Sequence, residues 1–184
     1  MSLTIEPVTT ARGLKSFINF HYSLYRGNPA WVPPLRMDEY NSLSKAKNPA
    51  FDFCDAAYWL ARRNGKIVGR IAGIHNRSYV EIWKSHDARF GWMDFIDDAE
   101  VSSLLLSTVE KWARDQGMHS VHGPLGFTDF DAEGLLVEGF DELSTFGSGY
   151  NAPYYVEHLE NNNYVKDVDY IEFQVTMNHE IPDK

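Results

Sequence analysis

Apolar positions recur along the chain with two periods, and the periods mark the elements. Val101, Leu104, Leu105, Thr108, Val109, Trp112 and Ala113 repeat at i, i+3, i+4, i+7 intervals and predict a helix over Asp98–Gln116. Ser102, Ser103, Lys111, Arg114 and Asp115 take its other side, and Gly117 stands where it ends. Leu14, Phe17, Ile18, His21, Leu24 and Tyr25 give a second helix, capped by Thr9 or Thr10, running to about Arg26 and stopped by Gly27. Ala57–Arg63 and Lys66–Ile74 flank Asn64-Gly65, a dipeptide suited to the two positive-φ positions of a type I′ turn, so they predict a β-hairpin. Further strands are expected over Leu3–Val8, Ala88–Phe95 and Ser120–Gly123, with a candidate at Leu135–Val137. Alternation of Ile171, Phe173, Val175 and Met177 predicts a final strand over Asp167–Met177. Pro34 suits the first turn of a short helix near Leu35–Leu43, and Tyr79–Ser85 reads as a connection or a helical turn. Asn151 as cap, with Pro153 in the first turn, opens a last helix running to about Asn162.

Composition narrows the classes. With 184 residues, 43% of them hydrophobic, the chain suits one folded domain with a full core. A net charge of −9 argues against nucleic acid and against an anionic membrane as partners held by overall charge. Cys54 is the sole cysteine, so there is no internal disulfide and no cysteine zinc cluster, and a cytoplasmic setting is expected. No apolar run approaches membrane-spanning length, and the first residues carry no signal-peptide core.

The element order is mixed α/β, with a hairpin leading into one strand-helix-strand crossover. It resembles the GNAT superfamily of acyl-CoA-dependent N-acyltransferases over nearly the whole chain. The resemblance is carried by the Asn64-Gly65 hairpin, by the Ala88–Gly123 unit, and by the ending Asn151 to Tyr164, where Asn163-Tyr164 stands for the family's usual Gly-Phe pair. The stretches 28–35 and 134–140 look like uncharacterised bacterial proteins with such a domain at their N-terminus. The resemblance implies a mostly antiparallel twisted sheet with helices on both faces. It also implies a single domain over 1–184, the N-terminal part of a longer protein with a C-terminal partner domain. For function it implies transfer of an acyl group from acetyl-CoA or another acyl-CoA to a small-molecule amine or a peptide. The strand Arg89–Phe95 would pair its backbone with pantetheine. Met93, Asp94, Phe95, Ile96, Val101 and Asn151 would then be the cofactor-binding positions, with the pyrophosphate on the start of the Asp98–Gln116 helix. Tyr154 or Tyr155 would protonate the thiolate.

The residues also depart from that pattern. The family's phosphate loop uses glycine where Ile96-Asp97-Asp98-Ala99-Glu100-Val101 has none, and Leu159 stands where the family usually has its tyrosine. Asp97 and Glu100 read as a capping box, and Ile96 and Val101 as a hydrophobic staple. Carboxylates there oppose a pyrophosphate, so weak acyl-CoA binding is expected. A catalytically silent domain that binds a ligand or partner domain is the alternative. Glu138, in the apolar run Leu135–Phe140, is a candidate base against the simpler reading of an outward-facing strand residue. Asp129, Asp131 and Glu133 copy half of an EF-hand loop, but position 12 is Phe140, and His119 and His122 have no nearby third ligand, so no metal is expected.

Overall fold

The computed structural model describes residues 2–145, 147–173 and 175. The elements follow the order β1 (Leu3–Pro7), α1 (Ala11–Leu24), α2 (Arg36–Leu43), a single 3-10 turn at Pro49–Asp52, β2 (Cys54–Arg63), β3 (Lys66–Asn76), α3 (Arg77–Trp83), β4 (Asp87–Phe95), α4 (Ala99–Asp115), β5 (Ser120–His122) and α5 (Tyr155–Asn161). One five-stranded sheet runs β1-β2-β3-β4-β5, antiparallel throughout except for the parallel pair β4 and β5.

The β2–β3 hairpin forms as its dipeptide demands, with φ of 53° at Asn64 and 77° at Gly65. Side chains then alternate across the sheet. Leu60, Ala72 and Ile74 join Phe17, Ile18 and Leu43 in a core beneath α1 and α2. Ala61 and Ile71 join Val101, Leu105 and Val109 in a second core beneath α4 and α5. Helix α4 sits so close to β3 that a methyl group on Gly73 would come within 2.7 Å of the Trp112 ring.

Two features of β4 position everything that follows. The first is a bulge: Arg70 faces Asp94 and Ala72 faces Gly91, so Trp92 and Met93 together oppose Ile71, and Trp92 takes φ 43°. The extra residue resets the alternation, leaving Phe90, Met93 and Phe95 on the α4 side and Trp92 and Asp94 on the α1 side. The second is the brevity of β5, which pairs only with Asp87, Ala88 and Arg89. Beyond Arg89 a gap opens at the β4 edge.

Several sequence expectations are corrected. Asp98, not Asp97, caps α4, its carboxylate accepting from the amides of Glu100 and Val101, so the box and the staple are each one residue out of register. Leu135–Val137 forms no strand, because the Asn151 side chain takes both the N–H and the C=O of Leu136. Asn151 therefore caps no helix, and α5 starts at Tyr155 after an uncapped Tyr154. Residues 167–173 and 175 are exposed and form no strand; Met177, at the end of that expected strand, lies outside the described residues.

Candidate functional site

The β4 bulge drives a carboxylate into the interior. Asp94, its side chain 5% exposed, accepts from Arg70 Nε at 2.6 Å and faces His21 Nδ1 at 3.0 Å. Arg70 is fixed in turn by the Phe17 carbonyl at 3.2 Å. Burial works to raise the pKa of Asp94, but His21 and then Arg70 outweigh it, and the carboxyl ends below the usual carboxylate range. His21 reaches this place because it lies on the apolar stripe of α1, one turn from Phe17 and Tyr25. Trp31 donates its indole N–H to His21 Nε2 at 3.0 Å.

The gap at the β4 edge is filled from α5. The Tyr155 hydroxyl accepts from the N–H of Phe95 at 3.2 Å, meets the Tyr25 hydroxyl at 2.7 Å and donates to Asp94 Oδ1 at 3.4 Å. Burial, and next the charge of Asp94, hold its pKa well above the ordinary phenol value, so it stays a donor. Tyr154 donates to the carbonyl of Phe95. Further back, Leu125 N–H donates to the carbonyl of Phe90 at 2.8 Å. The α4 N-terminus is occupied too: besides the Asp98 cap, Arg63 bridges Asp98 and Glu100 at 3.0 and 2.9 Å. Ser102, His158 and Asp97 line up at 2.8 and 2.9 Å, but Ser102 is wholly buried and its hydroxyl also bonds the Ala99 carbonyl, so the line is a strut between α4 and α5.

The residues singled out by sequence therefore part company. Met93, Asp94, Phe95, Tyr154 and Tyr155 gather around the gap, with Ile96 packed beside them and Val101 wholly buried under α4. Asn151 is spent on Leu136, and Glu138 is exposed in the loop that replaces the expected strand. His21, Arg70 and Trp31 were missed as a unit. The one signal was a histidine on an otherwise apolar helix face. Among the described residues no group of three or more His, Cys, Asp or Glu side chains is arranged to hold a metal, and no helix is long and apolar enough to cross a membrane.

The backbone is similar to those of solved acetyltransferases. A putative acetyl transferase from Pyrococcus furiosus matches with a TM-score of 0.55 at 14% identity, over 95% of this chain and 100% of that one. A predicted acetyltransferase from Clostridium acetobutylicum, solved with acetyl-CoA, matches with a TM-score of 0.55 at 7% identity over 94% and 96%. The chain has the GNAT fold. No family model matches the sequence. In sequence the GNAT-fold chain is 36% identical over 156 residues to protein YghO of Escherichia coli, 85% of this chain and 40% of that protein. It is 30% identical over 182 residues to the bacterial ceramide synthase of Caulobacter vibrioides, 98% of this chain and 47% of that enzyme. The chain thus spans less than half the length of these curated relatives.

Proposed function

We propose that this chain serves an N-acyl transfer and contributes the site for the amine. The GNAT fold and the likeness to a bacterial ceramide synthase support that reaction class, since a ceramide is the amide of a long-chain amino alcohol. The observation that carries the reading is the pair of buried Asp94 and part-buried His21 at the β4 bulge. An amine is protonated at neutral pH and must lose a proton before it attacks an acyl carbon. An imidazole whose Nδ1–H is held by a carboxylate presents Nε2 as the proton acceptor, and the carboxylate stabilises the imidazolium that results.

The acyl-CoA side does not fit in this arrangement. Both backbone groups of Phe95 and the first amides of α4 already have partners within the chain, and Asp98 and Glu100 oppose a pyrophosphate there. This closure favours a second reading, a silent GNAT-fold module that packs on a partner domain.

Thermal shift and titration calorimetry separate the readings. A long-chain primary amine should stabilise the chain, and His21→Gln should abolish that shift. Acetyl-CoA should bind weakly or not at all. An acetyl-CoA dissociation constant of about 10 μM or below, near −7 kcal/mol, would restore an ordinary cofactor site. Stabilisation by neither ligand would favour the silent module.

A further inference from the structure

Trp31 closes the base. An indole N–H has no acceptor role, so at 3.0 Å it donates to His21 Nε2, and the ring's Nδ1 is the nitrogen that faces Asp94. The lone pair that would take a proton is spent on a side chain of the same protein. Trp31 is also a wall of a surface groove of about 470 Å³, together with Tyr22, Pro33, Pro34 and Leu35. The inner side of one indole therefore touches the base, and the same ring borders a largely apolar groove.

The cluster behind it has a spare charge. Two carboxyl groups, Asp94 and Glu39, face the one guanidinium of Arg70, at 2.6 and 3.8 Å. Glu39 Oε1 accepts from Trp92, but Oε2 is buried with no hydrogen-bond partner. A buried acceptor without a donor, beside a surplus carboxylate, suits a cation that brings its own N–H groups.

We infer that Trp31 is a gate, and that the acceptor is a primary amine with an apolar chain. The chain lies along the groove, the indole leaves Nε2, and the amine nitrogen takes its place. This rests on the amine-acceptor reading above and adds the acceptor's route and the residue that controls it. In the proton step one N–H bond of the ammonium breaks and an Nε2–H bond forms. The electron pair stays on the amine nitrogen as the nucleophile, and the imidazolium keeps its Nδ1–H on Asp94.

Diethyl pyrocarbonate modifies free imidazole nitrogens, and peptide mass spectrometry reads His21 apart from the other histidines. His21 should react slowly in the wild type and roughly tenfold faster in Trp31→Phe, the equivalent of one lost hydrogen bond. Thermal unfolding checks that the variant folds. The wild type alone gives a second measurement if it does not. Dodecyltrimethylammonium has the chain and charge but no N–H, so it should open the gate and speed modification. Dodecylamine should open the gate, cover Nε2 and keep modification slow, while changing tryptophan emission in the wild type and not in Trp31→Phe. Equal rates in the wild type and Trp31→Phe, with dodecylamine still bound in a His21-dependent way, overturn the gate and leave the acceptor reading standing. The same effect from both amphiphiles also overturns the gate. No binding of dodecylamine by any measure overturns both.

Discussion

The two sides of β4 solve the same problem in opposite ways. On the α4 and α5 side, the groups that border the gap are met from within the chain, Phe95 by Tyr154 and Tyr155, the amides of Glu100 and Val101 by Asp98, and Asp97 by His158, with Arg63 Nε buried without a partner behind them. On the α1 side, the polar groups are buried but not balanced, with a carboxylate oxygen of Glu39 unmatched and a histidine whose base nitrogen is held only by a half-buried indole. A closed network is good structure and poor chemistry, because a ligand must displace bonds already made. An unbalanced one costs stability in the free protein and regains it when a ligand completes it.

The largest effect expected is at Asp94. Asp94→Ala leaves the buried Arg70 with only the more distant Glu39 carboxylate, at 3.8 Å, and should cost up to about 3–5 kcal/mol in urea unfolding. The sign of the pH dependence follows from its lowered pKa. Below about pH 4 the unfolded aspartate binds more protons than the native one, so stability is present above the unfolded value and is lost as pH falls through the folded value. Asp94→Asn should flatten that acid limb. An unchanged limb would place the main acid-sensitive group elsewhere.

The apolar core under α4 comes next. Leu105 is wholly buried and packs over Gly69, so Leu105→Ala should cost about 2–5 kcal/mol by the same measurement. A loss below roughly half a kcal/mol, the usual surface value, would put that stripe outside the core.

Tyr155→Phe tests the closed side itself. It strands the Phe95 N–H and the Tyr25 hydroxyl and should cost about 1–3 kcal/mol, against about 0.5–1.5 for Tyr154→Phe, which frees a single carbonyl. If Tyr154 proves the costlier of the two, the gap is held from the rim and not by the hydroxyl that joins its two faces.

What the sequence disclosed follows from range. The hairpin needs only Asn64-Gly65 and its flanks, and the α4 stripe repeats within one helix, so both were legible from local pattern. The His21–Asp94 contact joins residues 73 apart, and the β4 bulge that aims Asp94 inward has no mark in the run Arg89–Phe95. The expected strand at Leu135–Val137 failed for a similar reason: its backbone was taken by Asn151, a residue that local pattern had assigned to a helix cap. Tyr154 and Tyr155 were legible as a pair near the cleft, but not as the groups that fill it.

The smallest effect resolves a single residue of register. Asp97 and Asp98 are adjacent acids at the start of α4, and sequence favours Asp97 as the cap because Glu100 stands three residues later. In the structure Asp98 has the extended backbone of a cap, φ −156° and ψ 113°, and its carboxylate accepts from two amides and from Arg63. Asp97 points away, its side chain 70% exposed, with His158 as its partner. Asp98→Ala should therefore cost about 1 kcal/mol, the usual value of a side-chain cap, seen as a lowered midpoint in thermal or urea unfolding. Asp97→Ala should cost less, because a partner this exposed is screened by solvent. The reverse order would return the cap to Asp97 and free the amides of Glu100 and Val101. With those amides free, the closed side of β4 would have an opening of its own, and the contrast between its two sides would fail there first.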